Sequence, residues 1–264
     1  MKQEGNQNWR ADSPGLLISV SNAVEAGIAC SHPIDILDAK DPNGGSLGRL
    51  AAAELQAILA IDSLPEIVSC ALGELLDCVP AEVCQYIAQA DLGGRLSYVK
   101  AGLAGASHCS SDRGCDWRSD WLALNDCLPN HIGLVVVAYA DYALCDCPSV
   151  REVLEFAIAT GDANNGPPIF LIDTKMKNGN NLFDHLTLEE LHSIREITRG
   201  HGIRFSIAGS LGVAQLQAAG AVAADYFAVR GAVCESQQRQ AAITENSMRD
   251  FYHHFCTATK KLCR

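Results

Sequence analysis

Short apolar segments recur along the chain, and each is followed by a segment in which apolar residues return with helical spacing. The apolar segments predict eight β-strands, at 16–20, 34–40, 67–72, 97–102, 132–139, 169–174, 204–208 and 226–230. The intervening segments predict helices at 22–30, 50–61, 81–90, 118–127, 149–160, 188–199, 213–219 and 240–261. The sixth helix carries a capping box, in which Thr187 and Glu190 satisfy the first free backbone amides.

Eight strand–helix units predict a parallel sheet that closes into a single (β/α)8 TIM barrel. An open doubly wound sheet is the main alternative, but it would normally place a glycine-rich turn after the first strand, where Ser21-Asn22-Ala23 stands. We expect residues 1–14 to be a polar tail and residues 15–264 to be one barrel domain. The segments 107–117 and 162–168 do not fit the repeat and are interpreted as insertions at turns.

Composition narrows the function classes. A net charge of −11 argues against a nucleic-acid partner, although a few cations can still hold a small anionic substrate. The longest apolar run, 134–140, is too short to span a membrane, and the polar N-terminus lacks a signal-peptide pattern, so a cytoplasmic protein is expected. The twelve cysteines include no C-x-x-C pair; structural thiols are favoured over disulfides or metal ligands, and no metal site is predicted.

The lysines are distributed unevenly along the chain. Of seven, four lie at or just past the end of a predicted strand, where a barrel builds its active site: Lys40, Lys100, Lys175 and Lys177. Lysine that served only solubility would be expected on helix surfaces instead.

Strand alternation places Asp38 and Lys40 on one face of the second strand, and Asp173 at the end of the sixth. If these faces point inward, the side chains converge with Lys100 above the barrel core. Crowding by cations and partial desolvation would lower the pKa of a lysine there, and a neutral amine can attack a carbonyl. The alternative is that these residues are ordinary ion pairs joining strand ends to loops.

The loops after the last two strands predict a phosphate site. They begin with Gly209-Ser210 and Arg230-Gly231, and glycines at these places let backbone amides approach an anion. Tyr139 and Asp141, after the fifth strand, are weaker candidates for proton transfer or for rim hydrogen bonds.

Combined motifs resemble those of the (5-formylfuran-3-yl)methyl phosphate synthase family of methanofuran and methylofuran biosynthesis. They are D-A-K-D-P at 38–42, G-S-L-G at 45–48, Y-V-K-A-G-L at 98–103, D-T at 173–174 followed by Lys177 and Gly179, L-F-D-H-L at 182–186, A-G-S at 208–210 and V-R-G-A at 229–232. The chain departs from the family at Ala138, at 73–80, where a Tyr- and Lys-containing pattern is expected, and at 235–238, where a Gly-rich segment is expected.

The resemblance implies a barrel like that of class I aldolases, without a cofactor. It implies a carbon–oxygen lyase acting on phosphates that condenses two glyceraldehyde 3-phosphate molecules into the furan aldehyde phosphate, with loss of phosphate and water. Lys40 would form the Schiff base, Lys100 would transfer protons, and Asp38, Asp173 and Lys177 would support them. Alternation alone points to Lys175, whereas the family pattern selects Lys177.

Two alternatives remain open from the sequence. One is another lysine-dependent aldolase or lyase acting on phosphosugars, and the other is a non-catalytic relative that binds a phosphorylated ligand. The expected partner is a small phosphorylated aldehyde, with neither a nucleic acid nor a membrane, and a homo-oligomer is left open.

Overall fold

The computed structural model describes residues 14–108, 116–161 and 167–259. The strands are β1 (Gly15–Val20), β2 (Ile36–Ala39), β3 (Ile67–Glu74), β4 (Tyr98–Gly102), β5 (Gly133–Tyr139), β6 (Ile169–Asp173), β7 (Arg204–Ile207) and β8 (Tyr226–Val229). The helices are α1 (Ala23–Cys30), α2 (Ala52–Leu59), α3 (Pro80–Ala90), α4 (Trp117–Cys127), α5 (Val150–Thr160), α6 (Leu188–Gly200), α7 (Leu216–Val222) and α8 (Glu245–Thr259).

The eight strands pair in parallel in chain order, and β1 also pairs with β8, with Gly15 opposite Tyr226. The sheet is therefore a closed barrel, which confirms the predicted fold class and excludes the open doubly wound sheet. Closure brings the carboxyl ends of all eight strands to one rim.

Two apolar layers follow from strand alternation. In β2, Leu37 belongs to the core between strands and helices, whereas Ile36 packs in the smaller cluster inside the barrel. Asp38 stands on the same face as Ile36, and in β6 Asp173 stands on the same face as Leu171. The inward faces of β2 and β6 thus change from apolar to charged as these strands approach the rim.

The helices lie where the sequence pattern predicts them, except that the last two begin later than expected. The predicted capping box of α6 is present, with Glu190 N donating to Thr187 Oγ1 at 3.2 Å. The expected start of the last helix at residue 240 was wrong, because 231–237 folds into short 3₁₀ turns and Ile243 bridges to Cys234 before α8 begins. A 3₁₀ turn at Val213–Gln215 likewise precedes α7.

Parts of three predicted segments lie outside the described residues. These are 1–13 of the expected tail, 109–115 of the first expected insertion and 162–166 of the second. Across the described ranges, none of the helices combines the length and the apolar character that crossing a bilayer requires.

Candidate active site

Asp38 is the centre of a buried polar cluster. The parallel register sets it between Ser19 of β1 and Ser69 of β3. Both serine hydroxyls donate to its carboxylate, at 3.0 and 2.8 Å, and Lys100 Nζ lies 2.5 Å from its Oδ1. Burial alone would raise the pKa of Asp38, but the charges of Lys100 and Lys40, with these hydrogen bonds, lower it overall. Asp38 is therefore a fixed carboxylate.

Lys40 lies just beyond β2, beside this cluster and partly exposed. Desolvation lowers its pKa to about 8; Lys100 and Lys177 act in the same direction, against the opposing charges of Asp173 and Asp38. Within the described part of the chain, no carboxylate comes within ion-pair distance of its amine. Lys40 is therefore the rim lysine best placed to lose its proton near neutral pH.

Asp173 forms a second buried cluster, at the end of β6. It accepts hydrogen bonds from Ser46 Oγ at 2.7 Å and from the amide of Thr174 at 2.7 Å, and Lys177 Nζ lies 3.1 Å away. Burial opposes ionisation, but Lys177, Lys40 and these hydrogen bonds together lower the pKa of Asp173 to about 2. The five predicted catalytic residues are thus brought together: Asp38 and Asp173 are held as carboxylates, Lys100 and Lys177 pair with them, and Lys40 has no ion-pair partner among the described residues.

A third cluster, which sequence reasoning missed, is built on Glu74. β3 continues two residues past its predicted end, and a bulge makes Ala71 and Glu74 oppose Lys100 and Gly102 of β4. The extra residue turns Glu74 onto the inward face, which simple alternation does not predict. Its carboxylate binds Lys175 Nζ at 2.5 Å.

Tyr139 and a backbone amide complete the Glu74 cluster. Tyr139 Oη donates to Glu74 Oε1 at 3.1 Å, and Ala104 N donates to Oε2 at 2.9 Å. Burial, followed by the charges of Glu74 and Asp173, raises the pKa of Tyr139 well above its ordinary value, so it remains a neutral donor. A Cβ at Gly102 would collide with both Glu74 and Tyr139, which explains the glycine there.

Asp141 anchors the loop that follows β6. Its two carboxylate oxygens accept the backbone amides of Lys175 and Met176, at 2.8 and 2.7 Å. Lys177 then folds back onto Asp173 and onto the carbonyl of Thr174, at 2.6 Å. The loop is thereby fixed so that Lys177 faces the centre of the rim and Lys175 faces Glu74.

The predicted phosphate loops directly follow β7 and β8, next to the Asp173 cluster at the end of β6. The backbone amides of Gly209, Ser210 and Gly231 donate no hydrogen bond to any described residue. Gly209 and Ser210 both have positive φ, 101° and 52°, and a Cβ at Gly209 would press on Thr174. Uncommitted amides in such a turn are suited to an anion.

Arg230 was expected to contact phosphate, but its guanidinium points into the protein. Nη1 lies 2.9 Å from Glu25 and 3.1 Å from the carbonyl of Ser19, and Nε donates to the carbonyl of Arg239 at 2.7 Å. This buried pair joins β8, β1 and α1. Arg239, which the sequence pattern did not single out, instead reaches over the rim and donates to the carbonyl of Gly45 at 2.7 Å.

Two further features of the described residues are a groove away from these clusters and a set of free cysteines. A groove of about 370 Å³ between α2 and α3 is lined by Arg49, Tyr86 and neighbouring residues, but by none of the predicted catalytic residues. The nine described cysteines are free thiols, and the described residues contain no group of three metal-ligating side chains. Cys145 and Cys147 approach to 3.1 Å between their sulfur atoms.

Residues 16–252 match the family described as 4-HFC-P synthase. The chain belongs to this family. It is 30% identical over 224 residues to the (5-formylfuran-3-yl)methyl phosphate synthase of Methanothermobacter thermautotrophicus, covering 85% of this chain and 91% of that one. It is 27% identical over 248 residues to the protein of the same name from Methanobrevibacter smithii, covering 94% and 98%. Membership of this family supports an enzyme.

Solved structures share the fold at low identity. Phosphoribosyl anthranilate isomerase from Thermus thermophilus superposes with a TM-score of 0.57 at 13% identity, over 92% of this chain and 98% of that one. The protein named KGPDC from Streptococcus mutans gives a TM-score of 0.53 at 14% identity, over 93% of this chain and 99% of that one. These likenesses bear on the barrel alone.

Proposed function

We propose that this member of the 4-HFC-P synthase family condenses two molecules of glyceraldehyde 3-phosphate into (5-formylfuran-3-yl)methyl phosphate, with loss of phosphate and water. The observation that carries the proposal is the state of Lys40. It is an unpaired amine with a pKa lowered to about 8, between two carboxylates whose charges are held by other lysines. Roughly a tenth of such an amine is neutral at pH 7, which is enough for attack on an aldehyde.

Lys40 would attack the carbonyl carbon of the first triose phosphate, and loss of water from the resulting carbinolamine would give the Schiff base. Lys100 would move protons at this stage, because its ammonium contacts Asp38 and lies close enough to Lys40 for its charge to lower the pKa of that amine. Asp38, held by two serines, keeps Lys100 in place. The Schiff base then acidifies the neighbouring carbon, which allows bond formation to the second aldehyde.

Asp173 and Lys177 would serve the later steps, in which hydroxyl and phosphate groups leave. Lys177 can protonate or screen a departing oxygen, and the ionised Asp173 holds the Lys177 ammonium in position for this. The free amides of Gly209, Ser210 and Gly231 would hold a substrate phosphate. Arg230 would assist through its ion pair with Glu25, which fixes the loop that begins at Gly231.

Product analysis tests this function. The purified chain is incubated with glyceraldehyde 3-phosphate, and the mixture is followed by ultraviolet absorbance, released inorganic phosphate and mass spectrometry. A furan aldehyde phosphate formed with one phosphate released per furan supports the proposal. A six-carbon sugar phosphate without furan indicates a simple phosphosugar aldolase instead, and no conversion by the folded protein contradicts both.

A further inference from the structure

Lys175 is a cation at the rim for which the proposed reaction has no role. Its ammonium contacts Glu74, and a quarter of its side chain is exposed. A lysine ammonium carries three donors, and the contact with Glu74 uses one of them. Tyr139 and the Ala104 amide also donate to Glu74, so the carboxylate that positions Lys175 is itself held in place.

Arg239 is a second such cation. Its described hydrogen bond goes to the backbone carbonyl of Gly45, and no carboxylate among the described residues forms an ion pair with it. Burial lowers the pKa of Arg239, and the negative charge of Asp173 acts in the opposite direction. The guanidinium therefore lies within electrostatic reach of Asp173. An arginine that is partly desolvated without a carboxylate partner is a suitable receptor for an anion.

Gly45 links the two cations. Its carbonyl accepts a hydrogen bond from Arg239, and a Cβ built on Gly45 would lie 3.6 Å from Lys175 Nζ. Gly45 has a φ of +90° and carries no side chain, so the space between the two cations stays open. The next residue, Ser46, is bonded to Asp173, which ties this loop to the site.

The proposed reaction brings two phosphates to one rim. Each carries a charge of about −1.5 to −2 at neutral pH, and two such groups repel unless each has its own cations or amides. The amides of Gly209, Ser210 and Gly231 can serve one of them. The other requires positive charge elsewhere on the rim.

We propose that Lys175 and Arg239 form a second anion subsite, which binds the phosphate of the second triose phosphate above Gly45. This inference rests on the proposed function. Glu74 acts there as a positioning residue that orients Lys175.

Steady-state kinetics of furan formation test the subsite. Two variants remove it in different ways: Arg239→Met, and the paired change Glu74→Gln with Lys175→Met, which leaves no unpaired carboxylate. We expect the half-saturating concentration of glyceraldehyde 3-phosphate to rise about tenfold or more in each, since a charge-assisted hydrogen bond is lost. Borohydride trapping on Lys40 at saturating substrate should stay at the wild-type level. Arg151→Met, on the exposed face of α5, is the matched control.

The outcomes separate the two proposals. The subsite is overturned, and the proposed function stands, if both variants still form furan and their half-saturating concentrations of glyceraldehyde 3-phosphate lie within twofold of wild type. Absence of furan and of a Lys40 adduct in the wild-type protein overturns both. If either variant fails to fold, acetylation of wild-type Lys175 is measured with inorganic phosphate and with chloride at equal ionic strength. Protection by phosphate supports the subsite, and equal rates contradict it.

Discussion

Lys100 Nζ lies 2.5 Å from Asp38 Oδ1, although Lys40 stands only two residues from Asp38 on the same face of the chain. The carboxylate two residues before Lys40 is thus occupied by a lysine from β4. This arrangement keeps Asp38 ionised and leaves Lys40 without an ion-pair partner among the described residues. Desolvation, with a smaller contribution from the Lys100 and Lys177 charges, then lowers the pKa of Lys40 to about 8.

Lys100→Met should raise the pKa of Lys40. The substitution removes a repelling cation and exposes Lys40 to the full charge of Asp38, and both changes favour the protonated amine. We expect the midpoint of the pH profile for Schiff-base trapping to move upward by about one unit. Lys100→Arg, which keeps the charge, should move it much less. A profile for the methionine variant that superimposes on the wild-type profile would contradict this assignment.

Asp173→Asn should change the acid stability of the protein. The folded-state pKa of Asp173 is about 2, below the ordinary value of 3.8, so its contribution is present above pH 4 and is lost as the pH falls toward 2. We expect the variant to be less stable at pH 7 by about 2 kcal/mol, and the difference to shrink in acid. Urea unfolding between pH 7 and pH 3 measures this.

Asp250→Asn is the matched control for that series, because Asp250 is exposed and its ion pair with Arg249 is worth little. It should leave the free energy of unfolding within about 0.5 kcal/mol of wild type at every pH. A destabilisation of Asp173→Asn that is equally large at pH 7 and pH 3 would show that packing, and not ionisation, is responsible.

Gly102→Ala should disrupt the Glu74 cluster. The new methyl group would collide with the Glu74 carboxylate and the Tyr139 hydroxyl, and overpacking of this kind costs about 1–3 kcal/mol. Gly27→Ala, at an exposed position inside α1 with nothing near its Cβ, should instead stabilise the protein by about 0.5–1 kcal/mol. Denaturant unfolding compares the two, and a neutral or stabilising Gly102→Ala would argue against the cluster geometry.

Arg230→Met should destabilise the protein by about 3–5 kcal/mol, because it leaves Glu25 buried without its partner. Changing Glu25 to Met at the same time should restore much of the loss. Kinetics of the double variant show whether Arg230 also touches substrate. A half-saturating substrate concentration near that of wild type fits a role of Arg230 within the fold. A stable double variant with a strongly raised half-saturating concentration would instead indicate that Arg230 contacts the substrate phosphate.

The barrel and most of the candidate site could be predicted from sequence, because strand alternation and the position of lysines after strands are local patterns. Asp38, Lys100 and Asp173 occupy the inward faces that alternation gives them. Glu74 could not be predicted, since its direction depends on a bulge against β4. The glycine directly before Glu74, Gly73 with a φ of +97°, was the sequence feature that could have indicated the bulge.

The directions of the two arginines also depend on tertiary contacts. Arg230 directly follows β8, a position in the sequence that suits a phosphate ligand, but buried Glu25 on α1 draws it inward. Arg239 follows a pair of residues in the left-handed region, Ser236 and Gln237, which turn the loop back over the rim toward Gly45. Such long-range pairing and backbone reversal leave no periodic trace in the sequence.

Covalent trapping at Lys40 tests the central claim most directly. The wild-type protein is incubated with glyceraldehyde 3-phosphate, reduced with borohydride, digested and mapped by mass spectrometry, beside Lys40→Arg and Lys175→Arg. The account predicts a reduced triose phosphate adduct on Lys40, with a yield that rises through pH 8, retained in Lys175→Arg and lost in Lys40→Arg. An adduct on Lys100, Lys175 or Lys177 in place of Lys40, or an unchanged yield in Lys40→Arg, would contradict it.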